Sequence, residues 1–146
     1  GVFVLISFFS DIKSNKASST YSAPSSYQST NGADLAALKT RIMNLKESAE
    51  SKTARLEELA KEIKLKEDEM SAMKNYIESI ELQYKNDSYL PANIEEDYNQ
   101  RIDTYNNIWL PAYNNLLSQA KELYDEYEQE VKTHDALVES YNKRIQ

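Results

Sequence analysis

The fold of this chain is decided by residues 35–84, LAALKTRIMNLKESAESKTARLEELAKEIKLKEDEMSAMKNYIESIELQY. Two positions of every heptad in this stretch are mostly apolar, and together they form a stripe that we call the seam. The first positions are Leu35, Ile42, Ala49, Leu56, Ile63, Met70, Ile77 and Tyr84, and the second positions are Leu38, Leu45, Lys52, Leu59, Lys66, Met73 and Ile80. An unbroken repeat of this length predicts a long coiled-coil helix that packs its seam against a partner.

The partner helix is predicted within the same chain. We expect one helix over 33–86, a turn over 87–92 and a second helix over 93–146. The turn has the composition of a loop, and Asn93 with Glu96 has the spacing of a capping box at the start of the second helix. Because the connection is short, the two helices must run antiparallel. The predicted fold is therefore all-α, a long antiparallel two-helix coiled-coil hairpin.

A single register relates the apolar residues of the two helices. Ile80 faces Tyr98 and Ile42 faces Val138, and the residue numbers of such pairs add up to nearly the same value throughout. Pro111 interrupts the second helix, at a cost of about 3 kcal/mol if the helix cannot adapt. Since the register passes Pro111 with little drift, we expect a kink with a local bulge. The alternative is a three-helix bundle that is broken at Pro111.

Composition agrees with an elongated helical protein, because the 146 residues include only two glycines and three prolines. The net charge of −7 lies mainly in the second half, where residues 91–146 carry five basic and eleven acidic side chains. Negative charge repels nucleic-acid phosphates and anionic lipids, so no nucleic-acid partner is expected. The absence of cysteine excludes disulfide and thiol chemistry.

The first 32 residues differ from the helical part. Residues 1–13 begin with an apolar run that is shorter than the roughly 20 residues needed to cross a bilayer. We interpret this segment as the remnant of a signal anchor or signal peptide. Residues 14–32 are rich in serine and have no apolar period, which predicts a disordered, flexible tether. Any membrane contact is thus expected through the N-terminal segment only.

No arrangement of residues indicates catalysis or a cofactor. His134 is the only histidine, and metal sites need several converging ligands. The acidic stretch 122–130 lacks the glycine and spacing of a calcium loop. A two-helix coil also offers no enclosed pocket. We therefore expect a protein that is not an enzyme and that has no catalytic residues, no metal, no cofactor and no small-molecule substrate.

Two lysines at seam positions are candidates for fixing the register. Lys52 and Lys66 face Tyr127 and Tyr113 in the hairpin. A lysine there can lay its methylenes along the core and direct its amine to a phenol oxygen or an aromatic ring. Any slip of the helices would place these amines against leucine, so the lysines favour one register.

The second helix carries a candidate protein interface. Six of the eleven tyrosines lie in this helix, and three leucines flank its seam. The candidate interface residues are Tyr113, Leu116, Leu123 and Leu137. An apolar face wider than two helices require predicts a further protein partner, most economically a second copy in a homodimer.

The hairpin tip is a second candidate contact surface, at Ser88, Tyr89 and Leu90. Asn86-Asp87-Ser88 also matches the three-residue acceptor motif for N-linked glycans, which matters only in a secretory setting.

Two functions fit these features. The first is a non-enzymatic, extracytoplasmic interaction or spacer module, tethered through its N-terminus in the cell envelope or secreted. The alternative is a subunit of a filament or secreted assembly in which residues 1–9 pack between copies.

Overall fold

The computed structural model of the chain describes residues 32–146. Helix α1 spans Gly32–Gln83, α2 spans Ala92–Thr104 and α3 spans Leu110–Ile145. A π-helical segment at Tyr105–Trp109 joins α2 to α3, so these elements form one continuous returning helix. The predicted all-α hairpin of two helices is confirmed. The apolar segment 1–13 and the tether 14–32 lie, apart from Gly32, outside the described residues.

The described chain contains two compact units. One unit, residues 58–121, holds the turn together with the end of α1, all of α2 and the start of α3. Its helices run antiparallel, since Glu81 contacts Tyr98 and Glu67 contacts Tyr113. In the other unit, residues 32–57 of α1 pack against residues 122–145 of α3, with Lys52 bonded to Glu130.

The buried face of α1 follows the predicted heptad. Its buried apolar residues are Leu35, Ile42, Ala49, Leu56, Leu59, Ile63, Met70 and Ile80, all of them seam positions. Within the described part of α1, Thr53 is the buried residue that departs from the repeat. Its hydroxyl donates to the carbonyl of Ala49 at 3.0 Å, which satisfies the donor in an apolar setting.

The turn is built from backbone hydrogen bonds and a proline. After α1 ends, the amide of Asp87 donates to the carbonyl of Tyr84 at 3.1 Å. Pro91 is the N-cap of α2, and its carbonyl accepts the amide of Glu95 at 2.8 Å. The predicted capping box at Asn93 is wrong, because Asn93 lies within the first turn and no side chain caps the helix. The fixed φ of proline, here −54°, lets the helix begin directly after Pro91.

The π-helical segment explains how the returning helix passes Pro111. The amide of Leu110 donates to the carbonyl of Tyr105, five residues earlier rather than four. Proline lacks an amide hydrogen, and its ring clashes with the carbonyl one turn before it in a regular α-helix. A wider turn ahead of Pro111 relieves this clash, and α3 continues to Ile145. The bulge expected from the sequence is therefore present. The returning helix continues through Pro111, so the described part of the chain does not form a three-helix bundle.

The burial pattern can be checked with one substitution at two sites of α1. Leu59 is 1% exposed and Leu65 is 64% exposed. Leu59→Ala should lower the free energy of unfolding by about 2 to 5 kcal/mol, since it leaves a cavity in the seam. Leu65→Ala, the matched control, should change it by less than about 0.5 kcal/mol. Equal losses in urea unfolding followed by circular dichroism would show that the heptad is misassigned.

Candidate functional site

A polar cluster interrupts the apolar seam in the unit formed by residues 32–57 and 122–146. The ammonium of Lys52 lies 2.7 Å from Oε1 of Glu130, and the hydroxyl of Ser48 donates to the same oxygen at 2.8 Å. Lys52 Nζ also donates to Ser48 Oγ at 3.1 Å, which closes a triangle. Both charged side chains are about four-fifths buried. Lys52 is therefore held by a carboxylate and a hydroxyl, and Tyr127, the residue predicted to face it, is buried.

The second seam lysine, Lys66, directs its amine to an aromatic ring and a carboxylate. Lys66 Nζ lies 5.1 Å from the ring centroid of Trp109 and 3.3 Å from Glu69 Oε2. Tyr113, its predicted neighbour, instead donates to Oε1 of Glu67 at 2.7 Å. Trp109 is the last residue of the π-helical segment.

Tyrosine hydroxyls connect the helices in residues 58–121. Besides Tyr113, Tyr98 donates to Glu81 at 2.8 Å and Tyr76 donates to Asp97 at 2.9 Å. Each phenol keeps its ring beside the seam and directs its hydroxyl to a carboxylate on the facing helix. Hydrogen bonds to charged acceptors are stronger than bonds between neutral groups. Their geometry also restricts how the two helices can be placed against each other.

Arg101 completes one of these contacts. Its Nε donates to Asp97 Oδ2 at 3.0 Å, and its guanidinium carbon lies 4.1 Å from the centre of the Tyr76 ring. The hydrogen bond from Tyr76, followed by that from Arg101, lowers the pKa of the Asp97 carboxyl. Sequence reasoning missed this group. The four-residue spacing of Asp97 and Arg101 was a usable signal for their ion pair, whereas the contribution of Tyr76 from α1 depends on tertiary structure.

The candidate interface residues lie at the edge of the packed helices. Tyr113, Leu116, Leu123 and Leu137 are all half-buried, and Tyr113 is engaged by Glu67. A different set of large apolar side chains is exposed in the described chain: Met43, Leu65, Leu82, Tyr89, Ile108 and Leu110. Sequence reasoning did not select five of these six, because they lie off the seam and their solvent exposure is not visible in the repeat.

The tip residues of the hairpin differ in exposure. Ser88 is exposed, Leu90 is half-buried, and Tyr89 is 81% exposed, which leaves a large aromatic ring in solvent. Ile77, Ile102 and Tyr105 contribute to an open groove of about 300 Å³ beside the π-helical segment. The groove is open to solvent.

His134 is buried, as its seam position predicted, and its Nδ1 lies 3.0 Å from Oδ1 of Asp135. Across residues 32–146, no group of three or more histidine, aspartate or glutamate side chains is placed to hold a metal ion. In the same range, none of the helices combines the length and apolar character needed to cross a bilayer.

Comparison of the chain with protein-family models, with characterised proteins and with solved structures gives no match in any of the three. Function is therefore argued from the contacts described above.

The contact of Tyr113 with Glu67 predicts a pH dependence. Burial, and then the bond to Glu67, raises the pKa of Tyr113 to about 12. A raised pKa means that the folded state favours the protonated phenol. This contribution is complete below about pH 10, the ordinary pKa of tyrosine, and is lost as the pH rises towards 12. Tyr113→Phe should cost about 1 kcal/mol at pH 7 and should reduce the loss of stability between pH 10 and 12.

The measurement is chemical unfolding at a series of pH values, with Tyr89→Phe as the matched control. Tyr89 is exposed at the tip, so its substitution should leave the wild-type pH dependence unchanged. A Tyr113→Phe protein with the wild-type alkaline slope would contradict the role given to this contact.

Proposed function

We propose that this chain is a non-enzymatic coiled-coil module that spaces and joins proteins, held on the extracytoplasmic side through its N-terminal segment. The proposal rests on one observation, that polar side chains form hydrogen bonds between the two helices. The hydrogen bonds of Ser48, Lys52, Tyr76, Tyr98 and Tyr113 all cross from one helix to the other. The hydroxyl, ammonium and carboxylate groups in these contacts hold the helices together and do not converge on a substrate site.

The two seam lysines are proposed to specify the register. In its present position Lys52 meets a carboxylate and a hydroxyl, both from partly buried side chains. A slip of one turn would move Glu130 away from Lys52 and leave a partly buried charge without its partner. Polar residues in a coiled-coil seam commonly select one register of the helices, and they lower the stability of the coiled coil relative to an apolar seam. Lys66 is proposed to act similarly through the Trp109 ring, and its side chain is about as buried as that of Lys52.

A protein partner is proposed on the flank of the returning helix, with a second copy of this chain as the candidate. Leu116, Leu123 and Leu137 keep part of their surface in solvent. Exposed apolar area that continues a helical stripe is a common feature of protein contacts. No nucleic acid is proposed as a partner, because the chain has a net charge of −7.

The location in the cell envelope or outside the cell is supported by the sequence of residues 1–32. An apolar segment followed by a serine-rich tether is typical of a module that is held away from a membrane surface. The second candidate function, a filament or secreted assembly, uses residues 1–9 as a packing segment between subunits. Both functions require a helical hairpin that presents a surface to other proteins.

Self-association tests the proposed partner. Sedimentation equilibrium of the full chain up to high micromolar concentration should show a dimer. Leu116→Glu combined with Leu123→Glu should abolish the dimer, because two carboxylates would be buried in the contact. Circular dichroism must show that the variant remains helical.

Leu65→Glu combined with Leu82→Glu is the matched control, with the same change at two exposed positions of α1. This control should associate as the wild type does. A monomeric wild type would contradict the homodimer, and loss of the dimer in the control alone would move the contact to α1.

The N-terminal segment is tested by flotation with phosphatidylcholine vesicles. The full chain should float with the vesicles, whereas the chain without residues 1–13 should remain at the bottom of the gradient with unchanged helicity. Large particles that form from the full chain without vesicles, and that disappear with the same deletion, would favour the assembly function instead.

A further inference from the structure

The turn between α1 and α2 carries a chemical motif that the proposed function does not use. Asn86-Asp87-Ser88 is the only place in the 146 residues where asparagine is followed, two residues later, by serine or threonine. The middle residue is aspartate and not proline, as the acceptor motif for N-linked oligosaccharides requires. This match alone is weak, since the chain contains many asparagines. Its position in the structure supplies the second observation.

The motif lies where an enzyme could reach it. Asn86 is in the turn that follows Gln83, and α2 begins only at Ala92. Asn86, Asp87 and Ser88 are all exposed. Among residues 32–146, neither Asn86 nor Ser88 has a side-chain hydrogen-bond partner, so both polar groups are available. Exposed turns are the usual location of glycan acceptors.

Local geometry separates this asparagine from those in the helices. Side chains two residues apart on an α-helix do not face each other, so a helical motif cannot present its asparagine and its hydroxyl together. The backbone of the turn is not helical, so Asn86 and Ser88 are not held on different faces of a helix. The hydrogen bond between the Asp87 amide and the Tyr84 carbonyl orders the backbone next to Asn86 without covering the side chain.

We propose that Asn86 is an acceptor for an N-linked oligosaccharide, an inference that rests on the extracytoplasmic location in the proposed function. The donor is a lipid-linked oligosaccharyl pyrophosphate. The Asn86 side-chain nitrogen forms a bond to the anomeric carbon of the sugar and loses one proton. The bond between that carbon and the pyrophosphate oxygen breaks, and the lipid pyrophosphate leaves with the bonding electrons. The Ser88 hydroxyl serves recognition by the transferase.

A glycan at this site changes the role of the tip. Tyr89 lies three residues from Asn86, and its ring is largely in solvent. A bulky hydrophilic chain on Asn86 would cover this ring and would prevent the tip from docking on another protein. The glycan then limits association to the flanks of the helices, where Leu116 and Leu123 lie.

The test incubates the folded full chain with a purified oligosaccharyltransferase and its lipid-linked donor, and follows intact mass. One glycan should be added, and peptide mapping should place it on Asn86. Ser88→Ala should abolish the addition, whereas Ser88→Thr should retain it. Enzyme and donor are supplied directly, so the result does not depend on where the chain resides. The flotation experiment tests separately whether the N-terminal segment holds the chain at a membrane.

Lys46→Thr provides a matched control, because it creates the same motif at Asn44 within α1, where Asn44 is also exposed. The folded Lys46→Thr chain should receive one glycan, at Asn86 and not at Asn44. The proposal would be overturned if the full chain stayed unmodified while an unrelated acceptor peptide reacted in the same tube. Modification only after unfolding in urea would also overturn it, and equal modification of Asn44 and Asn86 in the folded chain would contradict the role given to the turn.

Discussion

The structure depends on one constraint, that two amphipathic helices must cover each other's apolar stripe along their lengths. Isolated helices gain little stability from their own hydrogen bonds, so burial of residues such as Ile42, Leu56 and Leu59 supplies most of the stabilisation. Apolar packing alone discriminates poorly between registers that differ by a whole heptad. Polar contacts such as that of Lys52 with Glu130 favour one register of the two helices over the others.

The tyrosine-rich composition follows from the same constraint. The edges of a narrow two-helix seam are exposed to water. A leucine at such an edge would leave apolar surface in solvent, and a short polar residue would bury no apolar surface. Tyrosine covers apolar surface with its ring and can direct its hydroxyl to the facing helix, as Tyr76, Tyr98 and Tyr113 do. Carboxylates of the acidic chain accept these hydroxyls, so part of its negative charge serves packing.

The fold could be predicted from sequence further than the site could. The seven-residue period identified the seam of α1, and Pro111 indicated where the returning helix must adapt, because both signals are local or periodic. The start of α2 was misjudged, since Pro91 caps the helix through backbone geometry and not through a side chain. The contact of the Lys66 amine with the Trp109 ring was not predicted, because it depends on how the two helices pack beside the π-helical segment. Contacts such as Tyr76 with Asp97 require knowledge of both helices at once.

The π-helical segment has a consequence for how this sequence can change over time. Each residue of an α-helix turns the chain by about 100°, so one residue more or less re-aims every side chain that follows. The wider turn at Tyr105–Trp109 absorbs one such residue. Deleting a single residue there would restore a regular helix and keep Ala120, Tyr127 and His134 in the interior, but it would bring back the clash of the Pro111 ring with the preceding turn. The extra residue and Pro111 therefore depend on each other, and lineages of this protein should keep both or lose both.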